Sequence, residues 1–80
     1  MNYPCMCCKN LTLSEPPPGT FEVCPVCLWE DDAVQAGDPS VEGGANKMSL
    51  SSARRNYLEF GAVEKTVISV VRKPLPNEIP

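Results

Sequence analysis

Residues 5–27 read CMCCKNLTLSEPPPGTFEVCPVC, and they contain every cysteine of the chain. Two Cys-x-x-Cys pairs occur there, with 15 residues between Cys8 and Cys24. This spacing is typical of a tetrathiolate zinc site. Each pair can wrap a tight knuckle that presents two thiolates to one ion at a metal–sulfur distance of about 2.3 Å. We therefore expect one structural Zn²⁺, held by Cys5, Cys8, Cys24 and Cys27.

Three other uses of the cysteines remain open. A rubredoxin-like iron site, as in an electron carrier, has the same four-thiolate geometry. A thiol redox protein would use a reactive thiol or a Cys-x-x-Cys pair and would bind metal only weakly. A disulfide framework is disfavoured by the odd number of cysteines and by the repeated two-residue spacing. Zinc is the first interpretation because a soft, closed sulfur site suits this ion.

Cys7 is the fifth cysteine, and it stands next to Cys8. A Cys5–Cys7 ligand pair would leave one residue between the ligands, whereas Cys24 and Cys27 are separated by two. The spacing therefore favours Cys8 as the ligand and leaves Cys7 as a spare thiol. We expect Cys7 to pack beside the metal site or to support a ligand, and a reactive role is the alternative.

The composition is that of a small globular protein. The chain has 80 residues, of which 42% are hydrophobic, and its formal net charge is −3. A domain of this length buries little apolar surface, so a bound metal is a suitable source of folding free energy. The first residues lack the basic and apolar regions of a secretory signal, and no apolar run reaches the roughly 20 residues of a spanning helix. We expect a cytoplasmic protein without membrane contact.

The chain contains no histidine. Its absence excludes a histidine general acid or base and a mixed Cys/His metal site. Four cysteine ligands would also leave no position on the zinc for water or substrate, which is typical of a structural metal. We therefore expect a protein that is not an enzyme.

Charge is distributed unevenly along the chain. Residues 1–46 hold seven acids and one base, whereas residues 47–80 hold six bases and three acids. The half that carries the cysteines therefore lacks the basic footprint of a nucleic-acid-binding module. We expect a protein partner and not a nucleic acid.

The motif Trp29-Glu30-Asp31-Asp32 directly follows the second cysteine pair. An aromatic anchor beside three carboxylates suits contact with a basic protein. In that interpretation an acidic surface faces the partner, formed by Glu30, Asp31, Asp32, Asp38 and Glu42. In the alternative interpretation, Trp29 covers the zinc knuckle and the acids are solvated.

We expect one domain over residues 1–80, built from three segments. Residues 1–37 form a zinc-ribbon-like hairpin, residues 38–48 are a linker, and residues 49–80 hold a helix and a C-terminal segment that pack on the hairpin. Within the hairpin, alternating apolar and polar residues predict strands at 11–13 and 21–23. The proline-rich residues 14–19 between them predict a stiff turn.

The C-terminal half predicts one helix, Leu50–Phe60. Apolar residues recur there at intervals of three and four, Ser49 is a suitable N-cap, and Gly61 is a suitable left-handed C-cap. Residues 66–71 are rich in β-branched side chains and favour a strand, with a short buried helix as the alternative. The fold class is then a small metal-stabilised α+β protein, with a zinc-ribbon-like β-hairpin, two Cys-x-x-Cys knuckles and one helix in the C-terminal half.

A series of longer motifs carries a family resemblance: YPCMCC at residues 3–8, LTLSEPPPGTFE at 11–22, CPVCLWEDD at 24–32, GGAN at 43–46 and VRKP at 71–74. With these motifs in order, the chain resembles the cysteine-rich CPCC family of small bacterial proteins over nearly its whole length. The resemblance implies a zinc-ribbon-like fold. It also implies a role in toxin immunity, because gene neighbourhoods have led to the proposal that the family includes immunity proteins against bacterial toxins.

The chain departs from the family pattern at two positions of the first knuckle. The family has proline between its first two cysteines, where this chain has Met6, and commonly has glycine after the knuckle, where this chain has Lys9. Glycine accommodates the positive φ of such turns without strain. We therefore expect Lys9 or Asn10 to adopt a positive φ at some energetic cost.

Overall fold

The computed structural model describes residues 2–80. Two short strands, β1 (Tyr3–Pro4) and β2 (Leu11–Leu13), form an antiparallel two-stranded sheet in which Tyr3 pairs with Leu13 and Pro4 with Leu11. Two α-helices follow, α1 (Ala33–Gly37) and α2 (Leu50–Phe60), and then two 3₁₀ turns at Lys65–Val67 and Pro76–Glu78. The described chain is therefore a small protein with one hairpin, one long helix and extended connections.

The hairpin differs from the one that the sequence predicts. The predicted pairing of residues 11–13 with 21–23 is wrong, because β2 pairs with β1 and Val23 forms an isolated bridge with Glu30. The chain reverses direction at each cysteine pair. The backbone before the pair is therefore hydrogen-bonded to the backbone that follows it. The Cys5 N–H donates to the Asn10 carbonyl at 2.9 Å, and the Cys24 N–H donates to the Trp29 carbonyl at 3.0 Å. The proline-rich residues 14–19 connect two separate turns.

Helix α2 begins and ends where the sequence predicts. The Ser49 hydroxyl accepts a hydrogen bond from the Ser52 N–H at 3.1 Å, and Gly61 has φ 86° and donates its N–H to the Tyr57 carbonyl. Both signals are local, since a cap satisfies backbone groups that the helix itself leaves unpaired. The helix buries Leu50 and Ala53 completely, and these two residues pack into the same core as the cysteines.

The strand favoured at residues 66–71 is wrong. The chain forms a 3₁₀ turn at Lys65–Val67, and the turn continues as the Val70 N–H donates to the Val67 carbonyl at 2.9 Å. A strand needs a neighbouring strand to pair with, and here the backbone hydrogen bonds close locally instead. The β-branched side chains therefore serve packing and surface, with Ile68 and Val70 both exposed.

The segment expected to be a linker, residues 38–48, is fixed to α1. The Asp32 side chain caps α1 by accepting from the N–H groups of Val34 and Gln35. The buried Gln35 amide then donates to the carbonyls of Val41, Asn46 and Met48 at 3.0–3.1 Å. A helix that the sequence analysis does not predict thus anchors this segment through one side chain.

The core is built around cysteine. Its cluster of buried residues consists of Cys5, Cys7, Cys24, Val26, Cys27, Trp29, Leu50, Ala53 and Val63. Thiols supply much of an interior that larger domains fill with aliphatic and aromatic side chains. Across residues 2–80, no helix has the length and apolar character that crossing a membrane requires.

Candidate metal centre

The two Cys-x-x-Cys pairs form knuckles of the same backbone geometry. In the first, the Lys9 N–H donates to the Cys5 carbonyl at 2.9 Å, and in the second the Leu28 N–H donates to the Cys24 carbonyl at 2.8 Å. The residue that follows each pair has φ 70°, in the left-handed region. The expected positive φ after the first knuckle therefore occurs, and it falls on Lys9.

The structure brings the sulfur atoms of Cys5, Cys8, Cys24 and Cys27 within 4.8 Å of one another. Cys5 Sγ lies 3.6 Å from Cys27 Sγ, and Cys8 Sγ lies 3.7 Å from Cys24 Sγ, so each close pair joins the two knuckles. A tetrahedral zinc site with Zn–S bonds of about 2.3 Å has sulfur–sulfur edges of about 3.8 Å. Both distances are close to this edge, and no sulfur–sulfur distance in the group exceeds 4.8 Å, so the four thiols are compatible with one bound metal ion.

Three hydrogen-bond donors approach the cluster. The backbone N–H of Cys7 donates to Cys5 Sγ at 3.4 Å, and that of Trp29 donates to Cys27 Sγ at 3.4 Å. The Thr12 hydroxyl donates to Cys24 Sγ at 3.0 Å. Such donors stabilise negative charge on sulfur and hold the ligands in place. Sequence reasoning missed Thr12, whose alternation with Leu11 and Leu13 indicates only a strand.

Without a metal, the clustered thiols compete for protons. Thiol donors from Cys27, Cys5 and Cys8, with the Thr12 hydroxyl, hold the pKa of Cys24 far below its usual range. The hydrogen bond to Cys24 raises the pKa of Cys27, and also that of Cys5, far above the usual thiol value. At neutral pH these two thiols keep their protons, so a metal ion must displace protons in order to bind.

Burial closes most of the cluster to solvent. Cys5 is 1% exposed, Cys24 and Cys27 are fully buried, and Cys8 is half-buried. A metal bound to all four sulfurs would therefore have a complete ligand set and only one partly accessible side. A metal in such a site would have a structural role, because it would cross-link the two knuckles.

The fifth cysteine, Cys7, lies in the core with 4% of its surface exposed. It stands outside the group of four sulfurs that the structure brings together, and its backbone N–H supports Cys5. The structure thus places Cys7 where packing beside the site would require it.

Two contacts that the sequence analysis does not predict hold α2 against the first knuckle. Arg54 Nε donates to the Met6 carbonyl at 2.9 Å, and Asn10 Nδ2 donates to the Tyr57 hydroxyl at 3.1 Å. Tyr57 belongs to the predicted apolar face of the helix, but nothing in the sequence pairs it with Asn10. The helix that completes the core is therefore positioned by polar side chains.

The acidic binding surface expected at residues 29–32 is wrong for three of its four residues. Trp29 and Asp31 are each 1% exposed, and Asp32 is 9% exposed. Trp29 packs in the core cluster with the cysteines, as the alternative interpretation of this residue requires. Asp31 and Asp32 are not solvated either, because both carboxylates accept hydrogen bonds from backbone N–H groups.

The carboxylates of Asp31 and Asp32 accept hydrogen bonds from backbone N–H groups. Asp31 Oδ2 accepts from the Thr20 N–H at 2.9 Å and from its hydroxyl at 2.8 Å, which ties the connection between the knuckles to the segment after Cys27. The N–H groups of Ala45, Gln35 and Val34 hold the pKa of Asp32 below its usual value. Of the acids assigned to the surface, Asp38 and Glu42 are exposed and Glu30 is half-buried.

The Asn46 side chain links the segment of residues 38–48 to Glu30 and to Gln35 of α1. It accepts from the Glu30 N–H at 2.9 Å and donates to the Glu30 carbonyl at 2.8 Å and to Gln35 Oε1 at 3.0 Å. The only sequence signal for this role is the position of Asn46 in the GGAN motif. These amides hold residues 38–48 against the segment that follows the second knuckle.

Comparison with known proteins places this arrangement in a family. The sequence model of the cysteine-rich CPCC proteins matches residues 3–78. The chain belongs to the cysteine-rich CPCC family. The matched range includes both knuckles, the GGAN motif and α2. Among curated proteins, none matches the chain.

The two departures from the CPCC pattern do not disturb the first knuckle. Met6 stands between the first two cysteines and its carbonyl accepts from Arg54, while Lys9 takes the left-handed conformation. The turn keeps its hydrogen bond from the Lys9 N–H to the Cys5 carbonyl. This CPCC protein therefore forms two equivalent knuckles from unlike sequences.

Proposed function

We propose that this CPCC protein holds one Zn²⁺ in a structural tetrathiolate site and acts as a metal-stabilised protein-binding module. The observation that carries the metal assignment is the group of four cysteine sulfurs within 4.8 Å of one another in the core. Soft sulfur donors at tetrahedral spacing favour zinc over magnesium or calcium. When bound, zinc would supply the cross-link between the knuckles that so small a core needs.

A non-enzymatic role is supported by the state of the reactive side chains. The chain has no histidine, and the buried carboxylates of Asp31 and Asp32 are engaged by backbone N–H groups. A zinc ion with four sulfur ligands has no position for water or substrate. The module would therefore act by binding.

The metal assignment is tested on protein purified without added metal. Elemental analysis should give one zinc per chain, with no visible absorption and no reversible redox wave. Iron with visible absorption would contradict the assignment and indicate a rubredoxin-like electron carrier. Weak metal binding together with a reactive Cys7 or a reactive Cys-x-x-Cys pair would contradict it in favour of a thiol redox protein.

The biological role that we propose is cytoplasmic toxin immunity, and its support is the family resemblance. It is tested with the reading frame adjacent to the gene of this chain. Expression of that neighbour alone should arrest growth, and co-expression of the chain should restore growth and yield a complex of the two proteins. The Cys24→Ser variant should fail to protect. A neighbour that is harmless, or growth restored without complex formation, would contradict the role.

A further inference from the structure

An apolar groove lies beside the second knuckle, outside the metal centre. It has a volume of about 300 Å³ and is formed between the end of α2 and the chain after the Lys65–Val67 turn. Val26, which stands between two of the clustered cysteines, lies at its base and is 1% exposed. Tyr57 and Phe60 of α2 form one wall, and Ile68 belongs to the other.

The C-terminal tail, residues 68–80, forms the second wall and is fixed in place by hydrogen bonds. The Arg72 N–H donates to the Pro25 carbonyl at 3.2 Å, which attaches the tail to the second knuckle. The Arg72 guanidinium makes a two-pronged ion pair with Glu78, with nitrogen–oxygen distances of 2.8 and 2.9 Å. The backbone and the side chain of Arg72 are thus both fixed by hydrogen bonds, and a preformed groove needs little reorganisation to bind.

Basic side chains lie in the lining of the groove and beside it, although the net charge of the whole chain is −3. Its lining includes Arg72 and Lys73 and no carboxylate. Lys65 lies beside it, with Nζ 6.0 Å from the centre of the Phe60 ring. Glu78 neutralises Arg72, whereas Lys73 and Lys65 form no ion pair within the described residues 2–80. Two lysines that have no carboxylate partner among residues 2–80 therefore lie at the apolar groove.

Large apolar side chains are exposed in the chain segment that contributes Ile68 and residues 71–74 to the groove. Ile68 is 45% exposed, and Val70, Leu75 and Ile79 in the same tail are 50–65% exposed. Exposed apolar side chains that lie near one another mark interaction sites more often than scattered ones do. Tyrosine and arginine, which the groove presents as Tyr57 and Arg72, are also among the residues that most often dominate the binding energy of protein interfaces.

We propose that this groove is the partner-binding site of the module, and that its occupant is a protein segment with an apolar anchor flanked by carboxylates. The anchor enters between Phe60 and Ile68, and the carboxylates pair with Lys73 and Lys65. This inference rests on the proposed binding function. It replaces the basic partner expected from residues 29–32 with an acidic one.

The test selects peptides from a random library on the full chain loaded with zinc. Selected peptides should combine acidic residues with a Leu, Ile or Phe. Their binding should shift the amide NMR signals of Val26, Phe60 and Ile68. Replacing the acids of the best peptide by lysine, or its anchor by alanine, should weaken binding at least about tenfold. Binding should also weaken as salt is raised, because the pairing charges are exposed. Selected peptides without acidic residues, or NMR shifts elsewhere, would overturn the proposal.

Matched variants separate the groove from the rest of the surface. Ile68→Asp and Lys73→Glu should each weaken the selected peptide about tenfold, whereas Val34→Asp and Arg55→Glu, which lie outside the groove, should leave its affinity unchanged. All four positions are exposed, so the variants should fold. Equal losses in groove and control variants would overturn the proposal. So would sedimentation of a dimer that Ile68→Asp dissociates, because a second copy would then occupy the groove.

Failure of the groove and failure of the proposed function have different signs. A chain that binds no zinc, or folds equally well without it, contradicts the proposed function whatever the peptides do. A folded, zinc-loaded chain that protects against a toxin while the groove variants bind it normally contradicts the groove alone.

Discussion

Lys9 and Leu28 show how single residues adapt to the two knuckles. Both have φ 70°, a conformation that costs a residue with a side chain roughly 1–2 kcal/mol. Leu28 is half-buried and packs against the core cluster, so its side chain offsets part of that cost. Lys9 is exposed, so burial of its side chain does not offset the strain in the same way. The two knuckles are alike in backbone and unlike in the energetic balance of this residue.

Lys9→Gly should stabilise the zinc-loaded protein. Glycine removes the strain of the positive φ, and its greater freedom in the unfolded chain returns part of the gain. We expect the free energy of unfolding to rise by about 0.5–1 kcal/mol, measured by urea denaturation. Lys9→Ala removes the same charge but keeps the strain, and should give no gain. An equal rise in both variants would show that the lysine charge, and not the backbone, is the cause.

At the scale of elements, the sequence predicts what depends on local interactions. The bounds of α2 follow from Ser49 and Gly61, whose caps act on groups within four residues. The knuckles follow from the Cys-x-x-Cys spacing for the same reason. The strand pairing does not follow from local signals. Whether β2 pairs with β1 or with residues 21–23 depends on where the first knuckle turns the chain.

Burial of the polar residues could not be predicted from the sequence in the same way. Asp31 and Asp32 read as exposed acids, yet their partners, Thr20 and Ala45, are distant in sequence and have no pattern that links them. The short helix α1 has only five residues, too few for an apolar periodicity to indicate it. The candidate metal site was predictable because its four ligands share one residue type, whereas the groups that position it do not.

The contact between α1 and residues 38–48 depends on the absence of a side chain at Gly44. A Cβ there would lie 2.8 Å from Asp32 Oδ2 and 2.9 Å from Gln35 Cδ. Both side chains are held by several hydrogen bonds, so neither can move away without breaking them. Gly44→Ala should therefore lower the free energy of unfolding by about 1–3 kcal/mol, measured by urea denaturation.

Gly37 provides the matched control for Gly44. It ends α1, and a Cβ at this position would meet nothing within 4 Å. Gly37→Ala should therefore leave the free energy of unfolding unchanged or raise it slightly, because alanine restricts the unfolded chain. A loss in Gly37→Ala as large as that in Gly44→Ala would show that steric contact with Asp32 and Gln35 is not the cause.

For the whole molecule, metal binding and proton release are linked. The pKa values of Cys5 and Cys27 lie above the usual thiol value in the folded, metal-free cluster, and in an unfolded chain thiols are also protonated at neutral pH. Zinc must displace at least two protons in either case. The apparent zinc affinity should therefore fall by about 100-fold or more for each unit decrease in pH near neutrality. Competition with a chelator at several pH values measures this slope, and a slope below tenfold would mean that the thiols are already ionised.

We expect bound zinc to decide whether the whole molecule folds. Three of the nine buried residues of the core cluster, Cys5, Cys24 and Cys27, are expected zinc ligands, and Leu50 and Ala53 of α2 belong to the same cluster. Zinc binding to such sites contributes about 10–16 kcal/mol, which exceeds the stability that a domain of this size obtains from its core. Cys24→Ser should therefore leave a largely unfolded chain, seen as loss of dispersed NMR signals and of bound zinc.

Cys7→Ala is the matched control, because Cys7 is buried in the same core but stands outside the four clustered sulfurs. It should keep one zinc per chain and a cooperative thermal transition, whereas loss of zinc from Cys7→Ala, or native thermal stability of metal-free Cys24→Ser, would refute this division between ligands and packing.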